Sequence, residues 1–170
     1  MNKAKTQLTQ SQRVQRDALK YERYKDQLPL ILQDEIDLFG IEVHEAFERI
    51  FTGDQLGLTV SFIKGNPYNS LAELTSDIKE KYWFDVSEDN NDSLLLPGKL
   101  NLQFRAVHDY LHYLYQQPFD FAGEYNVYKA QRYFHSSKVG RKILYSEIVL
   151  QAAYCTYFGK FSDKQKVIID

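Results

Sequence analysis

The sequence predicts a mainly α-helical (α+β) fold: a compact helical domain with a small two- or three-stranded sheet and an N-terminal helical arm. Three observations predict it. Most of the chain carries apolar residues at helical spacing, bounded by capping residues such as Ser70, Ser137 and Gly159. Only a few short stretches read as strands. With 170 residues, 44% of them hydrophobic, and 13 Tyr and 11 Phe, the chain is large enough to bury one real core.

The first 27 residues are rich in Lys, Gln, Arg and Asp. Helix propensity is good from about Leu8 to Gln27, but the apolar stripe of Leu8, Val14, Leu19 and Tyr21 is thin. A lone helix with so little to bury is marginal in water. The expectation is a projecting arm, residues 1–27, that packs on another copy of the chain or on another protein. Residues 28–170 form the single globular domain.

That domain opens at Pro29 with an apolar segment through Ile36, Phe39, Val43 and Phe47, which suits one or two amphipathic helices. His44 stands alone there and reads as a packed or surface residue. Thr52-Gly53-Asp54 stops the segment. From Leu56 to Lys64, Leu58, Val60 and Phe62 alternate with Thr59 and Ser61, a strand signature. Gly65-Asn66-Pro67 is a turn, and Asn69-Ser70 caps a helix from about Leu71 to Tyr82. Trp83 to Val86 reads as a second short strand. Glu88, Asp89 and Asp92 lack the spacing and glycine of a calcium loop and read as a solvated loop.

The central helix spans roughly Leu100 to Gln116 and stops before Pro118. A further helix runs from Gly123 to about His135. Ser136-Ser137 caps a last long helix, about 138–158, closed by Gly159. Val167-Ile168-Ile169 is a candidate final strand.

These three helices carry the chemistry. On the central one, Phe104, Val107, Leu111, Leu114 and Tyr115 make an apolar arc, with His108 on its edge and His112 just beyond. The i, i+4 spacing lets both imidazoles reach a single ion, as in an HExxH helix, with Asp109 where that pattern has Glu. The next helix repeats Glu124, Tyr128, Gln131 and His135 along one stripe. In the last, Glu147 and Gln151 lie in the middle of an apolar arc of Ile143, Leu144, Leu150, Tyr154, Cys155 and Phe158. A carboxylate there is costly unless a cation or strong donors meet it.

If those faces meet, they form one site. Its metal ligands would be His108, His112, Glu124 and Glu147, with zinc the best match and iron or manganese also fitting. Gln131, His135 and Gln151 would support the ligands or touch substrate. In a metal-dependent hydrolase, Asp109 or Glu124 would take the proton from a bound water, and Arg105 would balance developing negative charge. The alternative is a metal-free His/Glu network that fixes the fold of a non-catalytic interaction protein.

The segment from about Tyr68 to Gln151 resembles an uncharacterised family of proteins encoded mainly by bacteriophages. The resemblance rests on Asn101-Leu102-Gln103-Phe104-Arg105-Ala106-Val107-His108-Asp109 with His112, then Phe121 and Gly123-Glu124, then Glu147 with Gln151. Family members usually carry Gly at the position of Leu111 and His at that of Gln131. The resemblance implies a phage or prophage origin and no settled activity; in that setting the arm's partner would be a phage or host protein, and the non-catalytic alternative a virion component or accessory protein.

Bulk charge and composition narrow the partners. A net charge of −2 argues against wholesale wrapping of nucleic acid. Tyr128, Lys129, Arg132, Tyr133, Lys138, Arg141 and Lys142 interleave cations with rings, as a phosphate-tracking surface would, but a solvated helix face has the same pattern. One cysteine, Cys155, excludes an intrachain disulfide scaffold. No apolar run approaches a membrane span and no secretory signal is visible, so the expected place is the host cytoplasm, or a virion.

Overall fold

The computed structural model describes residues 8–25, 33–52 and 57–169. Helix α1 spans Gln10–Arg23 and α2 spans Gln33–Phe47, the latter ending in a π-turn at Glu48–Thr52. Strand β1 (Thr59–Ile63), helix α3 (Leu71–Lys81) and strand β2 (Trp83–Ser87) follow. Helix α4 covers Gly98–Leu114, and α5 covers Phe121–Gln131 with a 3-10 turn to Phe134. The last long helix is α6 (Lys138–Tyr145), a π-turn (Ser146–Leu150) and α7 (Gln151–Phe158) in succession. The expected mainly helical domain with a small sheet is what forms. The expected stop at Gly53-Asp54 lies outside the described residues. Among those described, no helix is long and apolar enough to cross a membrane.

Local chemistry explains the boundaries. The Ser70 hydroxyl accepts from Glu73 N and the Ser137 hydroxyl from Gly140 N, so α3 and α6 start where their caps predict. Gly159 closes α7 at φ 73, a left-handed position that favours glycine. β1 and β2 pair in parallel, Thr59 opposite Trp83 through Ile63 opposite Ser87, with α3 as the crossover that a parallel pair requires. Leu58, Leu74, Ile78, Phe84 and Val86 bury one side of this unit against Ala106 and Tyr110 of α4.

The larger core joins α2, α4, α6 and the π-turn through Phe39, Val43, Phe104, Ile143, Leu144, Ile148 and Val149. Val14 and Ala18 of α1 belong to it. Here the structure departs from the projecting arm. A capping box between Thr9 and Gln12 starts α1, and the helix then lies along α7. Its inner face is Val14, Asp17, Ala18 and Tyr21, with Tyr21 fully buried against Leu150, Tyr154 and Ile168. The stripe is narrow because one of its members is an acid. Asp17 is buried because Arg16 and the Tyr145 hydroxyl both bind it.

Of the two- or three-stranded sheet expected, two strands form among the described residues, and the candidate strand at Val167-Ile168-Ile169 stays irregular. Val167 and Ile168 are buried, but Ile168 N donates to the Ser146 hydroxyl at 2.9 Å instead of to a neighbouring strand. A side chain on the π-turn satisfies this backbone, so no ladder is needed.

Between α4 and α5 the chain turns tightly. Gln116 takes a left-handed conformation (φ 50), and the Asp120 carboxylate caps α5 by accepting from Gly123 N at 2.8 Å. A Cβ on Gly123 would sit 1.8 Å from the Pro118 carbonyl oxygen, so only glycine lets α5 enter at this angle. Gly123→Ala is expected to destabilise the fold by at least the roughly 1–3 kcal/mol typical of overpacking, because the atom it meets is backbone. A urea titration checks this; a midpoint equal to wild type would mean the close approach is absent.

Candidate metal centre

Helix α4 carries the first two members of the site. Asn91 fixes its start, donating to Gly98 O at 3.0 Å and accepting from Asn101 Nδ2 at 2.8 Å. One turn apart, the His108 and His112 rings meet edge to face with centroids 4.7 Å apart. Phe104 stacks on His108 and Phe119 packs on His112. His112 is fully buried, while the side chains of His108 and Glu124 keep 16% and 20% of their surface, so water reaches the cluster from that side.

The end of α4 decides how His112 faces. Gln117 N donates to His112 O at 2.9 Å, and His112 Nδ1 donates to Gln117 O at 2.9 Å. A backbone carbonyl only accepts, so the Nδ1 proton is committed and a neutral His112 presents a bare Nε2 inward. His108 Nδ1 likewise donates to the Gln131 amide oxygen at 3.1 Å. Both outer nitrogens are thus held by oxygen acceptors, as in metal sites.

The inner atoms converge. His108 Nε2 and His112 Nε2 are 3.1 Å apart; Glu124, in the first turn of α5, places Oε2 at 3.0 Å from His108 Nε2 and Oε1 at 3.4 Å from His112 Nε2. His108, His112 and Glu124 form the group whose ligand atoms all lie within 4.8 Å of one another. Tetrahedral zinc with bonds of about 2.0–2.1 Å sets its ligand atoms about 3.3 Å apart. The separations of 3.0, 3.1 and 3.4 Å are close to that edge length, with each imidazole meeting a different oxygen of Glu124, and they are hydrogen-bond distances as well.

The charges are mutually dependent. Burial opposes ionisation of His108, but the Glu124 carboxylate overrides it and raises the imidazole to about 9. Burial also opposes the charge on Glu124, and His108 and His112 override that to hold it at about 2. Beside them, burial pushes the Asp109 carboxyl up to about 6 against the pull of His108, His112 and Arg105. Asp109 accepts no hydrogen bond from any described residue and is half-buried, which suits a proton acceptor near neutrality.

Other expected members lie apart. Arg105 donates to the carbonyls of Ser87, Asp89 and Asn90, tying the β2–α4 loop to α4 instead of facing a substrate charge. His135 does not join the cluster. Its Nδ1 meets Glu42 of α2 at 3.0 Å while its ring stacks on Phe39. Burial lowers its pKa. Glu147 is also outside the ligand group. Its Oε2 accepts from Gln151 at 3.0 Å and Gln165 at 2.7 Å, and its buried Oε1 has no hydrogen-bond partner among the described residues. Burial raises this carboxyl to about 7.

Sequence reasoning missed three contributors. Gln117 acts through its carbonyl, which no residue type announces. Gln165 lies in the aperiodic tail, and Glu42 sits on a helix read only for its apolar face. No protein-family model, curated protein or solved structure matches this chain.

Glu147 yields a prediction with a definite sign. Its folded pKa, about 7, exceeds the ordinary 4.5, so its burial costs nothing below pH 4.5 and costs stability as pH rises through 7. In Glu147→Gln the new amide oxygen accepts from Gln151 and Gln165, and no charge is buried. The variant is expected to melt like wild type at pH 4.5 and to gain roughly 1–3 kcal/mol at pH 8, the cost of a buried unsatisfied acceptor. Equal melting temperatures at pH 8 would contradict the buried charge.

Proposed function

We propose that this chain is a metal-dependent hydrolase whose ion is held by His108, His112 and Glu124. The supporting observation is the inward convergence of two Nε2 atoms and a carboxylate at tetrahedral edge lengths, with both Nδ1 atoms committed to outer acceptors. Two imidazoles and a carboxylate suit zinc best, and iron or manganese also accept the set. Three protein ligands leave a fourth position for water, whose pKa the ion would lower. Asp109, next to His108 in the chain, would take the proton of such a water. Glu124 serves as ligand and not as base, since both its oxygens face the imidazoles. Arg105 holds the loop beside the site. In the bacteriophage setting that the sequence resemblance implies, the phosphoester bonds of nucleotides or nucleic acid are the substrate class.

A second reading has its own support. The His108–Glu124 pair satisfies itself electrostatically, as its opposed pKa shifts show, so a cluster of this kind can serve as structure alone.

Metal analysis of protein purified without chelator separates the two. The metal reading expects about one ion per chain, lost in His112→Ala and in the shape-conserving Glu124→Gln, and held about 10–100-fold more weakly in Gln131→Ala. It also expects hydrolysis of an activated phosphodiester that falls about 100-fold or more in Asp109→Asn. Wild-type protein that binds no ion, with variants that only melt earlier, would support the network.

The pH dependence runs in opposite directions for the two states. His108 has a folded pKa raised above 6.5, so in metal-free protein its contribution is complete below pH 6.5 and is lost as pH rises through about 9. Metal ligation requires deprotonated imidazole, so the stabilisation added by zinc is expected to grow over that interval. Melting curves between pH 6 and 9, with and without zinc, test the crossing; a zinc increment that shrinks with pH would overturn the ligand assignment.

A further inference from the structure

The opposite side of α5 lines a second feature. A cavity of about 660 Å³ lies between α1 and α5, bordered by Arg13, Arg16, Asp17, Tyr125, Asn126 and Lys129 among others. Its lining carries three cations and one carboxylate, in a chain whose net charge is −2. The single carboxylate is already spent. Asp17 binds Arg16 at 2.7 Å through Oδ1 and accepts the Tyr145 hydroxyl at 3.0 Å through Oδ2. Arg13 has no acidic partner among the described residues, and Lys129 lies over the Tyr125 ring with none either. Two uncompensated cations from different helices therefore border the same space, an arrangement that an anion between them would stabilise.

The other basic residues of this region are engaged elsewhere. Arg141 donates to the carbonyls of His135 and Ser136, Lys142 to that of Ile169, and Arg132 lies over Tyr133. The basic and aromatic run that the sequence shows thus does not act as a single surface. Only Lys129 of that run joins the cavity, and α1 supplies the partners.

We infer that this cavity binds the phosphate and base of a nucleotide, free or within a single strand, with Arg13 and Lys129 on the phosphate. Three features favour a nucleotide over a bare anion. The volume lies within the range of small-molecule pockets. Tyr125 and Tyr145 add ring surface on which a base can stack, and Gln10 and the Asn126 amide oxygen, whose nitrogen donates to Gln117 at 2.7 Å, border the space for its edge. The inference goes beyond the metal-centre reading and does not rest on it, because Glu124 faces the imidazoles while Tyr125 and Lys129 border the cavity.

Fluorescence anisotropy of a labelled hexathymidylate tests it, using full-length, chelator-treated protein, with AMP and inorganic phosphate as competitors. Arg13→Ala and Lys129→Ala are each expected to weaken binding about fivefold or more and to lower the slope of log affinity against log salt by about 1. The exposed Lys138→Ala, away from the cavity, should leave both unchanged. Circular dichroism and melting confirm that the variants fold. AMP displacing the probe places a single nucleotide in the cavity; displacement only by unlabelled oligonucleotide places a strand there. No binding, equal losses in all three variants, or phosphate competing as well as AMP would overturn the assignment. Removal of metal should change none of these values, so failure of the metal centre and failure of this cavity are read separately.

Discussion

An imidazole has two nitrogens, and the folded chain commits one of each pair before any chemistry begins. The carbonyl of Gln117 can only accept, so it takes the Nδ1 proton of His112 and turns Nε2 inward. Gln131 does the same for His108. The rest of the site depends on this commitment. Without it the two rings, one helical turn apart, would share protons along the helix surface and Glu124 would meet a simple hydrogen bond. With it, both Nε2 atoms and a carboxylate point at one another across about the span of a divalent ion, and without an ion His108 donates its Nε2 proton to Glu124. The turn that supplies the carbonyl also aims α5. Gln116 in a left-handed conformation, the Asp120 cap and the bare Cα of Gly123 against Pro118 together bring Glu124 back over the rings.

The same chain contains a comparison for this arrangement. His135 and Glu42 are also a buried imidazole–carboxylate pair at 3.0 Å. There, the second Glu42 oxygen accepts from Ser136, the ring stacks on Phe39, and no third ligand approaches. That pair ties α2 to the start of α6. The His108–His112–Glu124 group differs in having three converging side chains, one flank open to water, and a carboxyl, Asp109, that receives no hydrogen bond from the described residues. The His135–Glu42 pair closes on itself, whereas this group keeps an edge that solvent reaches.

Much of the fold was legible because its signals are local. Ser70, Ser137 and Gly159 each act within one turn of themselves, and the alternation around Val60 and Phe62 needs only a strand's own neighbours. His108, His112 and Glu124 were legible as a cluster because an i, i+4 pair and an inward polar stripe are properties of single helices. Partner choice was less legible. A wheel shows that Arg105, His135 and Glu147 face inward, but not which element waits there. Arg105 met loop carbonyls, His135 met Glu42, and Glu147 met Gln165 from a tail with no periodicity. The arm failed for a related reason. Its stripe looked too thin to bury because Asp17 breaks it, and only the fold reveals Arg16 and Tyr145 neutralising that acid.

The most direct test is the protonation state of the two imidazoles themselves. Nitrogen-15 NMR of histidine-labelled protein at pH 7 resolves which ring nitrogens carry protons. Before zinc, His108 should be doubly protonated, as its pairing with Glu124 demands. After one equivalent of zinc, His108 and His112 should both be neutral, protonated at Nδ1 and shifted by coordination at Nε2. A His108 that stays doubly protonated in excess zinc, or an Nε2-protonated His112, would contradict the account.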